Sequence, residues 1–296
     1  MDLTVILFGL GVGVLIGLTG IGGGSLMTPL LILFAGVHPT IAIGTDLAYG
    51  AVTKSLGGWR HLKKGTVDLG VSKWLAFGSV PGSILGVIIL DTWLKHSPEI
   101  LLTGVAIALF IVALSMLFRA LFMQRAIARE RHTVELTTGT KIRAVSLGAV
   151  LGLLLGVTSV GSGALIGLAL IMVFRLTPHR VVGTDVFHAA IVLWAAGLAQ
   201  LIAGNVDFLL MGNILIGSLP GVVIGTAFIH RVPAGVLRPT LGCVLLGSAL
   251  GVLTKAGVDV PVWMIVGVPI ITGAVFALVQ HVRPTPAVDV AEAAAA

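Results

Sequence analysis

The sequence predicts an all-α polytopic membrane protein, built as an inverted-topology repeat with two glycine-tipped broken-helix hairpins. Three observations carry this. The 296 residues are 57% hydrophobic and only 10% charged, where a soluble chain carries about 25% charge. Apolar runs of membrane-spanning length recur along the chain, and two of them are interrupted by glycine. The chain also matches itself when shifted by 139 residues.

The composition excludes a water-soluble enzyme, a nucleic-acid binder and a disordered chain. Mean hydropathy is +1.11 and the isoelectric point is about 10.0, but a net charge of +6 spread over so apolar a chain reads as membrane topology. Cys243, the single cysteine, has no partner for an internal disulfide. The 40 glycines are nearly twice the usual ~7% and follow no collagen period. In apolar segments they point to tightly packed, interrupted helices.

Taken in order, the first segment, Leu3–Leu18, ends at a glycine-rich break and is followed by the short apolar run Ser25–Gly36. Full spans are expected near Thr40–Trp59, Leu69–Leu90 and Ile100–Leu121. The pattern then restarts: Ala144–Val157, a second glycine break, and the short run Ala164–Arg175. Further spans follow near Arg180–Ile202, Phe208–Ile229, Val236–Leu253 and Pro261–Val282. Each full span has about the 17–25 residues that a bilayer core of ~30 Å requires. A 12-residue run is only ~18 Å long and cannot cross alone. Asp2 stands where a signal peptide would carry positive charge, so the N-terminus does not read as one.

The expected organisation is a first repeat over residues 1–122, with hairpin 3–36 and three spans, then a basic cytoplasmic loop, 123–143. A second, inverted repeat follows over 144–254, with hairpin 144–175 and three spans. An added span over 255–283 and a disordered alanine- and proline-rich tail, 284–296, complete the chain. The duplication rests on glycine, proline, threonine and aspartate, not on interchangeable leucines: Pro39 matches Pro178, Gly44-Thr45-Asp46 matches Gly183-Thr184-Asp185, and Pro81-Gly82 matches Pro220-Gly221.

Charge sets the orientation, because Lys and Arg mark the cytoplasmic side. Arg60, Lys63 and Lys64 place one loop inside, and Arg119, Arg125, Arg129, Arg131, Lys141 and Arg143 place the central loop inside. Threading the spans leaves Lys95 and Lys255 outside and the other 16 of 18 basic residues inside. An odd number of spans per half inverts the second copy, putting the N-terminus outside and the C-terminus in the cytoplasm. The two broken segments then enter from opposite faces, with their tips near the midplane.

The candidate site is built from those tips. They contribute Thr19, Gly20, Gly22, Gly23, Gly24 and Ser25 from one half, and Thr158, Ser159, Gly161, Ser162 and Gly163 from the other. Glycine lets the backbone approach a ligand and offers free N–H groups at a half-helix N-terminus, where anions bind. The plain alternative is that these glycines only make tight turns. Asp46 and Asp185 are the acids well inside spans, and a carboxylate there is costly enough to suggest function. Tyr49 and His188 follow each at i+3 and share its face. Asp185 and His188 can exchange a proton, or else both Thr-Asp pairs merely cap the hairpin tips and hold the site together. Asp68 and Asp207 read as helix N-caps. Lys54 reads as a residue near the cytoplasmic end of its span, free to snorkel. No metal-ligand spacing, cofactor motif or catalytic constellation is present, so neither metal, cofactor nor enzymatic activity is expected.

Residues 17–24, Gly-Leu-Thr-Gly-Ile-Gly-Gly-Gly, with Pro39 and Gly44-Thr45-Asp46, resemble the TauE/SafE sulfite-exporter family. So do Gly-Val-Thr-Ser-Val-Gly-Ser-Gly at 156–163 and Gly183-Thr184-Asp185, and the resemblance runs from about residue 3 to 280. It implies a bacterial inner-membrane carrier for a small sulfur-containing anion: sulfite, an organosulfonate such as sulfoacetate, or thiosulfate. His188 stands where the first copy has Tyr49, and the second copy lacks the basic loop. The expected partners are the anionic substrate and the lipid bilayer, with a homodimer open to the chain and no nucleic acid. With no arginine expected mid-membrane, amides and hydroxyls of both tips would hold one anion at the pseudo-two-fold axis, and rocking of the repeats would alternate access. The rival readings are an anion channel, or a cation-coupled antiporter in which Asp46 and Asp185 form the ion site and the tips are structural.

Overall fold

The computed structural model describes residues 3–19, 24–122, 134–228 and 234–282. Among these the chain forms eleven α-helices and no β-strand. In chain order they are α1 (Leu3–Thr19), α2 (Gly24–Leu33), α3 (Pro39–Lys63), α4 (Leu69–Thr92), α5 (Pro98–Phe122) and α6 (Thr138–Thr158). The remainder are α7 (Leu165–Met172), α8 (Pro178–Ile202), α9 (Phe208–Phe228), α10 (Ala234–Lys255) and α11 (Val262–Val282). A single 3-10 turn, Leu94–His96, joins α4 to α5.

Local chemistry sets the helix starts. Pro39 and Pro178 lie in the first turn of α3 and α8, where the missing N–H costs nothing and φ is already helical. Asp68 and Asp207 cap α4 and α9 by accepting the N–H of Val71 at 3.0 Å and of Leu210 at 2.9 Å. The loops before these caps close alike, through His61 Nδ1 with Thr66 Oγ1 at 2.9 Å and Asn205 Nδ2 donating to Gln200 Oε1 at 2.8 Å.

Among the described residues six stretches are long and apolar enough to cross a membrane: Leu69–His96, Pro98–Ala120, Thr138–Thr158, Pro178–Ile202, Phe208–Phe228 and Val262–Val279. Leu3–Leu18 and Pro239–Lys255 are apolar but shorter. Helix α3 has the length, at 25 residues, but carries Asp46, Lys54 and Arg60. The sequence misplaces the start of the second broken segment. Its first arm, expected over Ala144–Val157, is one continuous 21-residue helix that takes in residues assigned to the central loop. Thr137 caps it by accepting the N–H of Thr140 at 3.3 Å, so the polar stretch 138–143 stays helical. Residues 123–133 and 284–296, expected to be loop and tail, lie outside the described residues.

The packing is not arranged half by half. The two most extensive helix pairs join α4 to α6 and α1 to α9, so each broken segment's first arm lies on a span of the other half. Glycine makes both pairings possible. Gly78, Gly82 and Gly86 of α4 lie against the backbone of Val145, Ala149 and Leu153, and Gly148, Gly152 and Gly156 of α6 answer against Leu75, Ser79 and Ser83. On the other side Gly217, Gly221 and Gly225 meet Ile6, Leu10 and Val14, while Gly9, Gly13 and Gly17 meet Ile214, Ser218 and Val222. All six glycines of one pair recur in the other at the 139-residue shift. In a bilayer, where burying apolar side chains gains nothing over lipid, such close backbone approach is a main source of helix association.

Between these pairs lie α3 and α8, side by side and running in opposite directions: Gly50 meets Leu193, Gly57 meets Val186, and Gly197 meets Ala48. The short helices α2 and α7 pack on α3 and α8 respectively, and α10 packs on α5. Helix α11 packs on α10 and leaves Trp263, Ile270, Ile271 and Leu278 exposed, an apolar face suited to lipid.

Candidate functional site

The Gly-Thr-Asp triplets on α3 and α8 organise the centre, and each of their residues has a separate task. Gly44 lets α3 close on the backbone of Asn205, and Gly183 lets α8 close on Thr66. Thr45 Oγ1 accepts the N–H of Asp207 at 3.0 Å, and Thr184 Oγ1 accepts the N–H of Asp68 at 2.8 Å. The threonines therefore fasten the N-terminus of the other half's span. They do not cap the hairpin tips, as the sequence had suggested, because their hydroxyls point across the repeat interface.

Asp46 is buried and does reach a tip. Its Oδ2 accepts from Thr28 Oγ1 on α2 at 2.6 Å and from Ser159 Oγ at the second tip at 2.9 Å. Its Oδ1 is buried without a hydrogen-bond partner among the described residues. Ser159 has φ 59°, in the left-handed region, which ends α6 and turns its hydroxyl toward α3. Gly161 and Gly163 follow at φ 111° and 108°, values that only glycine adopts readily. Thr158 turns away from the site, donating to the Leu154 carbonyl at 2.7 Å and accepting the Val160 N–H at 3.2 Å. Ser162 is buried, and its hydroxyl accepts from Lys54 Nζ at 3.2 Å.

The first tip is only partly described. Thr19 ends α1, Gly24 begins α2, and Gly20, Gly22 and Gly23 lie outside the described residues. Ser25 is buried, with no hydrogen-bond partner for its hydroxyl among the described residues.

Asp185 has different company. Its interacting groups are Lys54, Arg119 and the backbone N–H of Gly163. Thr28 has Gly167 as its counterpart at the 139-residue shift, and the missing side chain leaves room for Arg119: a Cβ on Gly167 would meet Arg119 Nη1 at 3.1 Å. His188 is turned to α4, with Nε2 3.2 Å from Ser79 Oγ, while its Nδ1 and Asp185 Oδ1 are each without a hydrogen-bond partner among the described residues. Tyr49 is buried beside Ser218, the counterpart of Ser79.

Sequence reasoning missed both cations. Lys54 was expected to snorkel, yet it is only 6% exposed and held at the second tip. The available signal was its position eight residues after Asp46 on α3, just over two helical turns, which keeps both near one face. Arg119 was counted with the cytoplasmic charges, but its long side chain reaches α7. Two carboxylates and two cations therefore gather among helices of a membrane protein, where charge is tolerated only when paired or in use.

Helices packed around a buried, charged centre, with apolar side chains facing outward, define a multi-pass α-helical membrane protein. The sequence pattern of the family described as sulfite exporter TauE/SafE matches residues 5–252, and the chain belongs to that family of membrane transporters. A probable membrane transporter protein, YjnA of Bacillus subtilis (strain 168), is 38% identical over 253 residues, spanning 84% of this chain and 99% of that one. YdhB of the same organism is 27% identical over 77% of this chain and 91% of its own. A probable membrane transporter protein of Xylella fastidiosa (strain Temecula1 / ATCC 700964) is 28% identical over 83% and 92%. No solved structure matches.

Proposed function

We propose that the chain is a secondary transporter, not an enzyme, that carries a small sulfur-containing anion, sulfite or an organosulfonate such as sulfoacetate, across the bacterial inner membrane by alternating access. The substrate sits between the two tips. The observation that carries this reading is the grip of the second tip on the first half: Ser159 bonds Asp46 and Ser162 bonds Lys54, both on α3. A movement of one repeat against the other must therefore remake bonds at the tip, which couples access to occupancy. Support for the inverted repeat comes from the opposed directions of α3 and α8 and from the exchange of the α1–α9 and α4–α6 pairs under the 139-residue shift. The loop charges Arg60, Lys63, Lys64, Lys141 and Arg143 support an orientation with the N-terminus outside and the C-terminus inside.

In this reading Asp46 is a fastener of the site, since one of its oxygens already holds Thr28 and Ser159. The test is flux of radiolabelled sulfite and sulfoacetate into proteoliposomes, with and without a proton or sodium gradient. Saturable uptake of either anion is expected. Non-saturating flux would establish a channel instead, and cation movement without either anion would establish the antiporter reading.

A further inference from the structure

The two halves share a frame but not a charge. Lys54 has the apolar Leu193 as its counterpart at the 139-residue shift, so the second tip faces an ammonium that the frame does not duplicate. A lysine buried among membrane helices carries three donors and is costly to bury. Here its one hydrogen bond among the described residues goes to the neutral Ser162 hydroxyl. Asp46 and Asp185 both act on it electrostatically. Yet among the described residues neither lies in ion-pair contact with it. The ammonium is thus held between two carboxylates and bonded to neither, with donors to spare beside the glycine turn Gly161–Gly163. On α2 the buried Ser25 hydroxyl is likewise without a partner among the described residues.

We propose that Lys54 is the counter-charge of the substrate: its ammonium, with the Ser162 hydroxyl and the second-tip amides at Gly161 and Ser162, binds the oxyanion head and makes recognition one-sided. This rests on the transport reading above and deepens it. A site with a cation at one tip selects a molecule with one compact anionic head, sulfite or a sulfonate, and orients it, whereas two equivalent tips would not. Counted formally, the two cations Lys54 and Arg119 match the two carboxylates Asp46 and Asp185, and the arriving anion draws Lys54 further toward the tip. Serine held by lysine supplies the geometry, with the glycines clearing space for the oxygens.

The experiment measures equilibrium binding of radiolabelled sulfite and of sulfoacetate to the purified full chain in detergent. Four proteins are compared: wild type, Lys54→Met, Lys54→Arg, and the double variant Lys54→Met with Asp185→Asn. Loss of the ammonium should weaken binding about tenfold or more, and Lys54→Arg should recover most of what Lys54→Met loses. The double variant restores charge balance without restoring the donor and should stay as weak as Lys54→Met. Should the double variant regain wild-type affinity, Lys54 serves only Asp185 and the proposal falls. Wild-type affinity in a folded Lys54→Met protein overturns it equally, with the transport reading intact. A wild-type protein that binds neither anion overturns that reading and this inference together.

Discussion

Asp46 and Asp185 occupy the same position of the same triplet, 139 residues apart, and are treated in opposite ways. Asp46 is hydrogen-bonded by neutral donors, the hydroxyls of Thr28 and Ser159, with Lys54 acting on it from further off. Asp185 has two cations acting on it, Lys54 and Arg119, the second admitted in part because Gly167 stands where the first half has Thr28. The glycine and threonine of each triplet, by contrast, make matching contacts in both halves. Duplication has kept the joints and let the charges diverge. A transporter needs both: equivalent joints let the repeats exchange conformations, and an uneven site tells one end of a substrate from the other.

The largest consequence of that contrast is expected at Asp185. Truncation to alanine removes the carboxylate on which both Lys54 and Arg119 act, and stranding buried charge costs about 3–5 kcal/mol. Asp185→Ala should therefore yield little monodisperse protein in detergent, while Asp185→Ala combined with Lys54→Met recovers it. If the single variant melts within a degree or two of wild type, the cations are not buried on Asp185 and the contrast collapses.

Next come the glycine seams, where the two halves should respond alike. A side chain on Gly152 runs into the backbone of Ser79, and one on Gly13 runs into Ser218. Neither backbone can yield, so Gly152→Val and Gly13→Val should each cost about 3 kcal/mol, the upper range for overpacking. Gly104 and Gly139 meet nothing within 4 Å, and Gly104→Ala or Gly139→Ala should leave the thermal midpoint in place. A large gap between the two valine variants would show that α1–α9 and α4–α6 are not equivalent seams.

These seams also mark where the sequence stops being legible. Pro39, Pro178, Asp68 and Asp207 act locally, so the starts of α3, α8, α4 and α9 could be read from residue type alone. The duplication was legible because glycine, proline and aspartate are rarely exchanged by chance. What the repeat could not disclose is which half each arm packs on, since the pattern is the same whether α1 lies on α4 or on α9. Thr137 extended α6 through a cap, a single hydrogen bond against an otherwise polar stretch. At the site, both aspartates were visible as costly charges. Lys54 and Arg119 were not, because a long side chain near a helix end can turn outward to water or inward to a carboxylate, and only the fold decides.

At Asp46 a smaller loss is expected than at Asp185. Asp46→Ala strands the Thr28 and Ser159 hydroxyls, a cost of about 1–3 kcal/mol, and frees the second tip from α3. Asp46→Asn keeps an acceptor for both hydroxyls and should hold most of that stability. If Asp46→Asn falls as far as Asp46→Ala, the charge matters and not the hydrogen bonds, and the fastener reading gives way to an ionic one.

The smallest effects distinguish the two threonine joints. Thr184→Val removes the acceptor for a buried Asp68 N–H, and Thr45→Val does the same for a half-buried Asp207 N–H. Valine keeps the shape, so the change isolates one hydrogen bond, about 1 kcal/mol where water can partly replace it and more where it cannot. Thr184→Val should therefore lower the thermal midpoint more than Thr45→Val, although the geometry of the two bonds is nearly the same. Asp68 adds a second reason, since its carboxylate also faces Arg180 at 3.9 Å, and a loosened cap weakens that contact as well. The equivalent Asp207 has no such cation among the described residues. Equal shifts for the two valine variants would mean that the joints differ in neither hydration nor charge, leaving the unlike surroundings of Asp46 and Asp185 as the place where the halves have parted.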